Sequence, residues 1–155
     1  MSSRVTCAVA VRWMNRSHMP AVREIENHSF EFPWSEEDFI RCLRQRNCIG
    51  MVAEVGKQVV GFMIYELHKT CLRVLNFAVH EDCRFKGAGT AMVKKLIGKL
   101  TAERRRLIVI EIRETNLDAQ LFFRRMGFRA VDVSRGFYED TPEDAYIFNF
   151  RYKSP

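Results

Sequence analysis

The stretch Arg84-Phe85-Lys86-Gly87-Ala88-Gly89 decides how this chain is interpreted. It stands between an apolar run at residues 74–79, which predicts a strand, and an amphipathic pattern at residues 88–103, which predicts a helix. Glycine has no Cβ, so the backbone there can approach a ligand closely. The N–H groups of a first helical turn attract phosphate, and Arg84 and Lys86 add positive charge. The sequence therefore predicts a turn that binds the diphosphate of a ligand.

Two common phosphate loops do not fit this turn. A dinucleotide fingerprint starting at Gly87 needs a glycine where the chain has Met92, and the Gly-Lys-Ser/Thr of a Walker loop does not occur. What remains is Arg-x-x-Gly-x-Gly at the start of a helix, after Leu75-Asn76-Phe77-Ala78-Val79. This combination resembles motif A of the GNAT acyltransferases, which binds the diphosphate of acetyl-coenzyme A. The alternative is a turn that serves chain geometry only.

Length and composition limit the alternatives. With 155 residues, the chain is expected to form one domain, residues 1–155, and 47% hydrophobic residues suffice for a core. No apolar run approaches the roughly 18 residues that cross a bilayer, and the first residues lack the apolar core of a secretory signal. We therefore expect no membrane partner.

Cysteine and histidine usage predicts neither a disulfide framework nor a metal site. The five cysteines are odd in number without C-x-x-C spacing, and the four histidines lack ligand spacing. This pattern is typical of a cytoplasmic protein. The net charge of +6 suits an anionic cofactor, an acidic substrate or a ribosome surface equally well.

Hydrophobic periodicity and turn residues predict the order β-α-α-β-β-β-α-β-α-β-β. The strands are expected at residues 6–13, 51–55, 59–67, 71–79, 107–112, 128–133 and 144–152. Ser17, Ser35 and Asn116 are expected to cap the first, second and fourth helices, and Gly127 to end the fourth. The predicted class is α/β (α+β), with a mixed, mostly antiparallel sheet of about seven strands and about four flanking helices.

This order, with motif A on the fourth strand and the next helix, resembles the whole GNAT fold. Three segments resemble bacterial ribosomal-protein alanine N-acetyltransferases and other protein N-terminal acetyltransferases. They are Phe32-Pro33-Trp34-Ser35-Glu36; Ile110-Glu111-Ile112-Arg113 with Asn116 and Met126-Gly127-Phe128; and Tyr138 with Glu143-Asp144-Ala145-Tyr146. The resemblance implies a protein N-terminus as the acceptor.

The resemblance also implies where acetyl-coenzyme A would bind. The backbone of Phe77, Ala78 and Val79 would hold the pantetheine arm, and an N–H of this strand would polarise the thioester. Asn116 would hydrogen-bond the cofactor arm, although its position also suits a plain helix cap. The diphosphate would be surrounded by Arg84, Phe85, Lys86, Gly87, Ala88, Gly89 and Thr90.

Glu111 is the carboxylate that the resemblance marks as the general base. Alternation along the strand predicts that it shares a face with Leu107 and Val109. Such an acid lies either at the solvent edge or in a cleft, where partial burial would raise its pKa and suit it to base catalysis. The alternative is an exposed glutamate at the end of a strand.

One position departs from the family pattern. The bacterial ribosomal-protein alanine N-acetyltransferases that this chain resembles have a tyrosine that protonates the leaving thiolate, and the matching residue here is Phe123. Tyr138 is a candidate replacement if its loop folds over the cleft, or it contacts substrate only. Trp34 and Phe137 are further candidates for acceptor contacts, although Trp34 could simply staple two helices.

The sequence thus predicts acetyl transfer from acetyl-coenzyme A to a protein α-amine, with a ribosomal protein as one acceptor and nucleic acid near only through the ribosome. A small-molecule amine is the first alternative. It predicts a closed acidic pocket, whereas a peptide predicts an open groove lined by Trp34 and residues 135–140. The second alternative is a non-catalytic module that binds coenzyme A or the ribosome.

Overall fold

The computed structural model of the protein describes residues 8–84 and 87–154. Within that range, seven strands form one sheet flanked by four α-helices, which confirms the predicted class and order. The strands are β1 (Val9–Trp13), β2 (Cys48–Val55), β3 (Gln58–Leu67), β4 (Cys71–Val79), β5 (Leu107–Arg113), β6 (Arg129–Ser134) and β7 (Ala145–Arg151). The helices are α1 (Met19–Ser29), α2 (Glu36–Leu43), α3 (Ala88–Ile97) and α4 (Leu117–Arg125).

The sheet has a fork near its middle. Its order is β1-β2-β3-β4-β5-β7-β6, and the β4–β5 pair is parallel whereas the other pairs are antiparallel. The β4–β5 ladder runs from Cys71↔Leu107 to Val74↔Ile110 and stops there. Beyond Val74, the edge of β4 that faces β5 is therefore open, and a ligand with hydrogen-bonding groups can pair with it.

A β-bulge in β4 lies at the same point. The register with β3 shifts between Tyr65↔Val74 and Ile64↔Asn76, so Leu75 is the extra residue. Val74 faces the core cluster that contains α3 and α4, whereas Ala78 faces the cluster that contains α1 and α2. Because the bulge shifts the alternation, Phe77 and Val79 turn towards α3 and α4.

The helix starts follow the predicted capping chemistry with one correction. Asn15, rather than Ser17, is the cap: its side chain accepts from the Ser17 N–H at the start of a short 3-10 turn, Arg16–His18, that leads into α1. Ser35 caps α2 as predicted and forms a capping box with Asp38. The Asn116 side chain accepts from the Ala119 N–H at 3.2 Å, which confirms the cap of α4.

The third helix is shorter than predicted, ending at Ile97 instead of near Glu103. Glycine costs about 1 kcal/mol in a helix interior relative to alanine, and Gly98 stands at this end. The following N–H groups tighten into i→i−3 bonds, Lys99 to Leu96 and Leu100 to Ile97. Leu100 nevertheless remains 5% exposed, so the apolar stripe continues into a turn rather than a helix.

No helix in the described part of the chain is long and apolar enough to span a membrane.

Candidate active site

A cleft of about 620 Å³ opens where β4 diverges from β5. Its walls are the open end of β4, the first turn of α3, one side of α4 and the C-terminal end of α1. The cleft is lined by Ser29, Phe30, Phe77, Ala78, Val79, Arg84, Gly87, Gly89, Thr90, Asn116, Asp118, Ala119, Leu121, Phe122, Phe123 and Arg125. Eight of the predicted cofactor-binding residues are therefore brought together on one surface.

The start of α3 presents unpaired donors to this cleft. Gly87 has φ of 91°, a left-handed conformation that glycine adopts readily, and its carbonyl accepts the first helical bond from the Ala91 N–H at 2.9 Å. The preceding N–H groups of Ala88, Gly89 and Thr90 have no place in the helical ladder. This is the arrangement that binds phosphate at helix N-termini. Phe85 and Lys86, predicted to belong to the same turn, lie outside the described residues.

The open edge of β4 offers backbone groups to a ligand in an alternating pattern. The His80 N–H bonds to the Val60 carbonyl on β3, so residues two positions apart, including Ala78, also turn their polar groups to β3. Phe77 and Val79 therefore direct theirs towards the fork. The Val79 carbonyl accepts from Arg84 Nε at 3.3 Å, and the Phe77 N–H donates to Asn76 Oδ1 at 2.9 Å. Of the three predicted residues, Phe77 and Val79 have the backbone orientation that suits a pantetheine arm.

An aromatic wall closes the inner side of the cleft. The rings of Phe77 and Phe123 meet edge-on with centroids 5.2 Å apart, and Phe122 and Phe123 do so at 5.0 Å. Phe123 is 2% exposed and also packs on Phe128 at 5.1 Å. Phe123, which lacks the hydroxyl of a tyrosine, is therefore both a core residue and part of the cleft wall. Asn116 likewise has two structural positions, because its side chain caps α4 and it lines the cleft.

Glu111 lies at the fork on the opposite face of the sheet from the aromatic wall. It is the residue after Ile110, the last β5 residue paired with β4. Its carboxylate is half-buried and paired with Arg73, whose Nε lies 3.0 Å from Oε1 and 3.3 Å from Oε2. Arg73 also contacts Glu66 at 3.5 Å. Glu111 is therefore held in an ion pair with Arg73, which the sequence prediction did not include, and it does not line the cofactor cleft.

Arg113 organises the loop between β6 and β7. It shares the Glu111 face of β5, about 7 Å further along the strand. Its guanidinium stacks on the Tyr138 ring at 3.8 Å, lies 5.7 Å from the Phe32 ring centroid and pairs with Asp140 at 2.7 Å. Arg113 therefore joins the loop before α2 to the loop before β7. The two loops flank the face of the sheet on which Glu111 lies.

Burial and charge set the protonation of this loop. Burial raises the pKa of Tyr138 to about 12, against the opposing effect of Arg113. Arg113 lowers the pKa of Asp140, and a hydrogen bond from Thr115 lowers that of Glu143. Because both carboxyl pKa values are lowered, these carboxylates stabilise the docked loop at pH values above their ordinary pKa values of 3.8 and 4.5. That contribution disappears only as the pH falls through the lowered values.

Trp34 and Phe137 occupy different environments. Trp34 is half-buried, and its ring meets Phe39 edge-on at 5.2 Å. This contact holds the loop before α2 against α2. Phe137 is 40% exposed and packs edge-on against Tyr138 at 5.0 Å. The exposed aromatic residue of the loop before α2 is Phe32, which is 42% exposed. Sequence reasoning did not identify Phe32, although it belongs to the same segment as Trp34.

A second cavity of about 500 Å³ lies beside the β2–β3 turn, lined in part by His18, Glu54, Lys57 and His80. Its best-defined contact is the pair between His18 and Glu54 at 3.3 Å. Its described lining contains no phenylalanine, whereas four phenylalanines line the first cleft. Throughout the described ranges, no cluster of histidine, cysteine and acidic residues could hold a metal ion.

The open edge of β4, the first turn of α3 and the cleft between them are features of acyltransferases of the GNAT fold. The model of the acetyltransferase (GNAT) family matches residues 19–128, and the chain belongs to this family of N-acetyltransferases. An uncharacterised N-acetyltransferase of Methanocaldococcus jannaschii is 31% identical over 139 residues, covering 88% of each chain.

Two further comparisons involve N-acetyltransferases of Escherichia coli. The Escherichia coli K12 ribosomal protein bS18-alanine N-acetyltransferase is 28% identical over 136 residues, covering 86% of this chain and 91% of that one. The crystal structure of the Escherichia coli ribosomal-protein-S18-alanine N-acetyltransferase superimposes with a TM-score of 0.82 at 23% identity, covering 96% of both chains. This superposition shows that the fold is shared over nearly the whole chain.

Proposed function

We propose that the protein transfers the acetyl group of acetyl-coenzyme A to the α-amine of a protein N-terminus. The observation that carries the proposal is the fork between β4 and β5. It places the helix N-terminus and the open strand edge on one side and Glu111, between two aromatic loops, on the other. The relative named as a ribosomal protein bS18-alanine N-acetyltransferase supports the choice of a protein acceptor.

The reaction needs modest help from the protein. The amine nitrogen attacks the thioester carbonyl, a C–N bond forms, the C–S bond breaks, and the amine proton leaves as the thiolate is protonated. An α-amino group with a pKa of about 8 is about one-tenth neutral at pH 7, and a thiol pKa of about 8.5 makes thiolate a tolerable leaving group. Glu111 accepts the amine proton through a water molecule. A backbone N–H at the edge of β4 polarises the thioester carbonyl.

The leaving group is where this chain differs from its family. Phe123 has no proton to give, and the raised pKa of Tyr138, about 12, makes proton transfer to a thiolate near 8.5 uphill. Tyr138 also lies against Arg113 on the opposite face from Phe123. We therefore assign Tyr138 to acceptor binding and loop order, and solvent supplies the proton to the thiolate.

The exposed aromatic residues favour a peptide over a small amine. Phe32 and Phe137 are 42% and 40% exposed and lie on the two loops that flank the Glu111 face. Aromatic side chains are enriched in protein–protein interfaces relative to the rest of the protein surface. A small-amine enzyme would instead need a closed acidic pocket, and the carboxylates of Asp140 and Glu143 are already paired with Arg113.

The proposal is tested by mass spectrometry of acceptors incubated with acetyl-coenzyme A. The panel holds peptides beginning with alanine, serine and methionine, each with an internal lysine, the same peptides with blocked N-termini, and polyamines. We expect acetylation at the free α-amine only. Transfer to polyamines but not to peptides would contradict the proposal. Binding of acetyl-coenzyme A without thiol release on any acceptor would favour the non-catalytic alternative.

Arg113→Ala tests the acceptor loops. The change removes the stacking on Tyr138 and the pair with Asp140, so the β6–β7 loop loses its fixed position. We expect the peptide KM to rise by about tenfold, with acetyl-coenzyme A affinity changed by less than about twofold. Steady-state kinetics and calorimetry provide these values.

Arg135→Ala is the matched control for Arg113→Ala. Arg135 belongs to the same loop, but its side chain is 84% exposed and meets Asp144 at 3.5 Å. Exposed pairs of this kind contribute little, so the peptide KM should stay near the wild-type value. A KM for Arg113→Ala that is equally unchanged would show that the loop does not bind the acceptor.

Phe123→Tyr tests the missing proton donor. Since Phe123 lines the cleft, we expect its new hydroxyl to reach the leaving sulfur and raise kcat severalfold, which is less than the roughly 10²- to 10⁴-fold contribution of an optimised general acid. Phe128→Tyr is the control, because Phe128 is 1% exposed in the same aromatic cluster but does not line the cleft. An unchanged kcat in Phe123→Tyr would show that protonation of the thiolate does not limit turnover.

A further inference from the structure

A carboxylate is buried in the core cluster that contains α1 and α2. Glu26, in the last turn of α1, is 1% exposed, and the other buried residues of this helix, Val22 and Ile25, belong to that cluster. The other buried polar side chain of the described residues is Asn76, at 8%, on β4 beside the bulge. The two side chains are in contact, although 50 positions separate them in the sequence.

The hydrogen bonds of this pair reach the backbone at both ends. Glu26 Oε1 accepts from Asn76 Nδ2 at 2.8 Å, and Glu26 Oε2 accepts from the Trp34 N–H at 2.8 Å. Asn76 Oδ1 accepts from the Phe77 N–H at 2.9 Å. An ionised carboxylate only accepts and a backbone N–H only donates, so the chemistry allows one orientation of the asparagine amide.

Stability does not account for a charge in this place. Removing a carboxylate from water is costly, and well-packed apolar residues at such sites are often as stable or more stable. Burial raises the pKa of Glu26, whereas the donors from Trp34 and Asn76 oppose the rise. Asn76 Nδ2 and the Trp34 N–H donate to different oxygens of Glu26, so the side chain at position 26 must offer two acceptor oxygens. A glutamine or an apolar side chain lacks two such oxygens.

The N–H groups of Trp34 and Phe77 lie on different sides of the proposed reaction, one with the acceptor and the other with the cofactor. Trp34 lies in the loop that carries Phe32 towards Arg113, on the acceptor side. Phe77 lies on the open edge of β4, on the acetyl-coenzyme A side. We propose that Glu26 and Asn76 are positioning residues, a buried relay that fixes the acceptor loop relative to the N–H groups of the cofactor strand. The inference rests on the proposed acetyl transfer to a peptide.

Substitutions that keep the size of the two side chains can remove the hydrogen bonds of the relay one at a time and then restore them. In Glu26→Gln, the new amide cannot accept from both Asn76 and Trp34, and in Asn76→Asp two carboxylates face each other. In the double variant, Gln at 26 donates to Asp at 76 and accepts from the Trp34 N–H. Asp at 76 still accepts from the Phe77 N–H. The double variant therefore restores every hydrogen bond, with the charge moved by one side chain.

We expect each single variant to lower kcat by about tenfold and to raise the peptide KM by about tenfold, because small displacements of reacting groups are costly. The double variant should return both values to within about threefold of wild type, as expected for a directly coupled pair. Acetyl-coenzyme A affinity should stay within about threefold throughout, because most of it comes from the diphosphate turn.

Val22→Ala is the control for a purely structural effect. It removes buried volume from the same face of α1 and the same cluster, but it breaks none of these hydrogen bonds. Its melting temperature should fall while kcat and KM hold. Single variants that behave like Val22→Ala, or a double variant no better than the singles, would overturn the inference.

Amide hydrogen exchange tests the relay without turnover and without any variant. In the wild-type protein the Trp34 N–H should exchange at least about 100-fold more slowly than that of Phe32 in the same loop. Equal rates for the two amides would overturn the inference even if every variant failed to fold. A wild-type protein that acetylates no peptide, yet protects Trp34 and Phe77, would refute the proposed function and leave the relay intact.

Discussion

Glu111→Gln should lower kcat for peptide acetylation by about 10²-fold or more, with acetyl-coenzyme A affinity changed by less than about twofold. Glutamine keeps the shape of the side chain but cannot take a proton from the amine. Glu111 stands at the point where β4 and β5 separate, on the face flanked by the two aromatic loops. The cofactor cleft is lined by other residues, so its affinity should be preserved.

The pH dependence gives a second measurement on Glu111→Gln. The acid limb of kcat/KM reports the groups that must be deprotonated for the reaction, and the α-amine of the peptide is one of them. Without the base, the limb should follow the α-amine alone, with its pKa of about 8. A stopped assay of free thiol between roughly pH 5 and roughly pH 9 supplies the profile, because folded proteins are generally most stable near this interval.

Glu66→Gln separates base catalysis from the ion pair. Arg73 contacts both acids, Glu111 at 3.0 Å and Glu66 at 3.5 Å, and both side chains are comparably buried. If the role of Glu111 were only to hold Arg73, then Glu66→Gln would lose activity similarly. We expect Glu66→Gln to lose less than about threefold, as for a partly exposed pair. Equal losses, or full activity in Glu111→Gln, would remove Glu111 as the base.

The local features of the site could be predicted from the sequence because each is written in a few adjacent residues. The left-handed Gly87 before α3 and the capping side chains of Ser35 and Asn116 depend on contacts within three positions. The alternating burial of β5, with Glu111 on the less buried face, likewise follows from a period of two. Such signals do not depend on which elements later meet.

The missed features are those that join distant parts of the chain. Arg73 meets Glu111 across 38 positions and Glu26 meets Asn76 across 50. Strand periodicity tells which face a residue occupies, but not which residue of the next strand stands opposite. The bulge at Leu75 adds a second difficulty, because one extra residue exchanges the two faces of β4 after that point. The environment of Glu111 was therefore predictable only as a choice between solvent and cleft.

Gly87→Ala should weaken acetyl-coenzyme A binding by at least about tenfold, a loss of about 1.4 kcal/mol. An alanine at a φ of 91° is strained, so the turn relaxes and rotates the first N–H groups of α3 away from the diphosphate. Gly89→Val is a less specific test, because its Cβ would stand 3.0 Å from the Phe122 ring and disturb α4 as well. The Cβ of an alanine at position 87 meets no described atom within 4 Å.

Gly56→Ala is the matched control for this change. Gly56 also has positive φ, 63°, its added Cβ likewise meets no described atom within 4 Å, and it lies in the β2–β3 turn outside the cofactor cleft. The two variants should therefore lose similar melting temperature, whereas only Gly87→Ala should lose affinity in calorimetry with acetyl-coenzyme A. Since strain is common to both, a difference in affinity isolates the contribution of the α3 turn to diphosphate binding. Equal affinities would place the diphosphate elsewhere and leave the first turn of α3 as a purely structural feature.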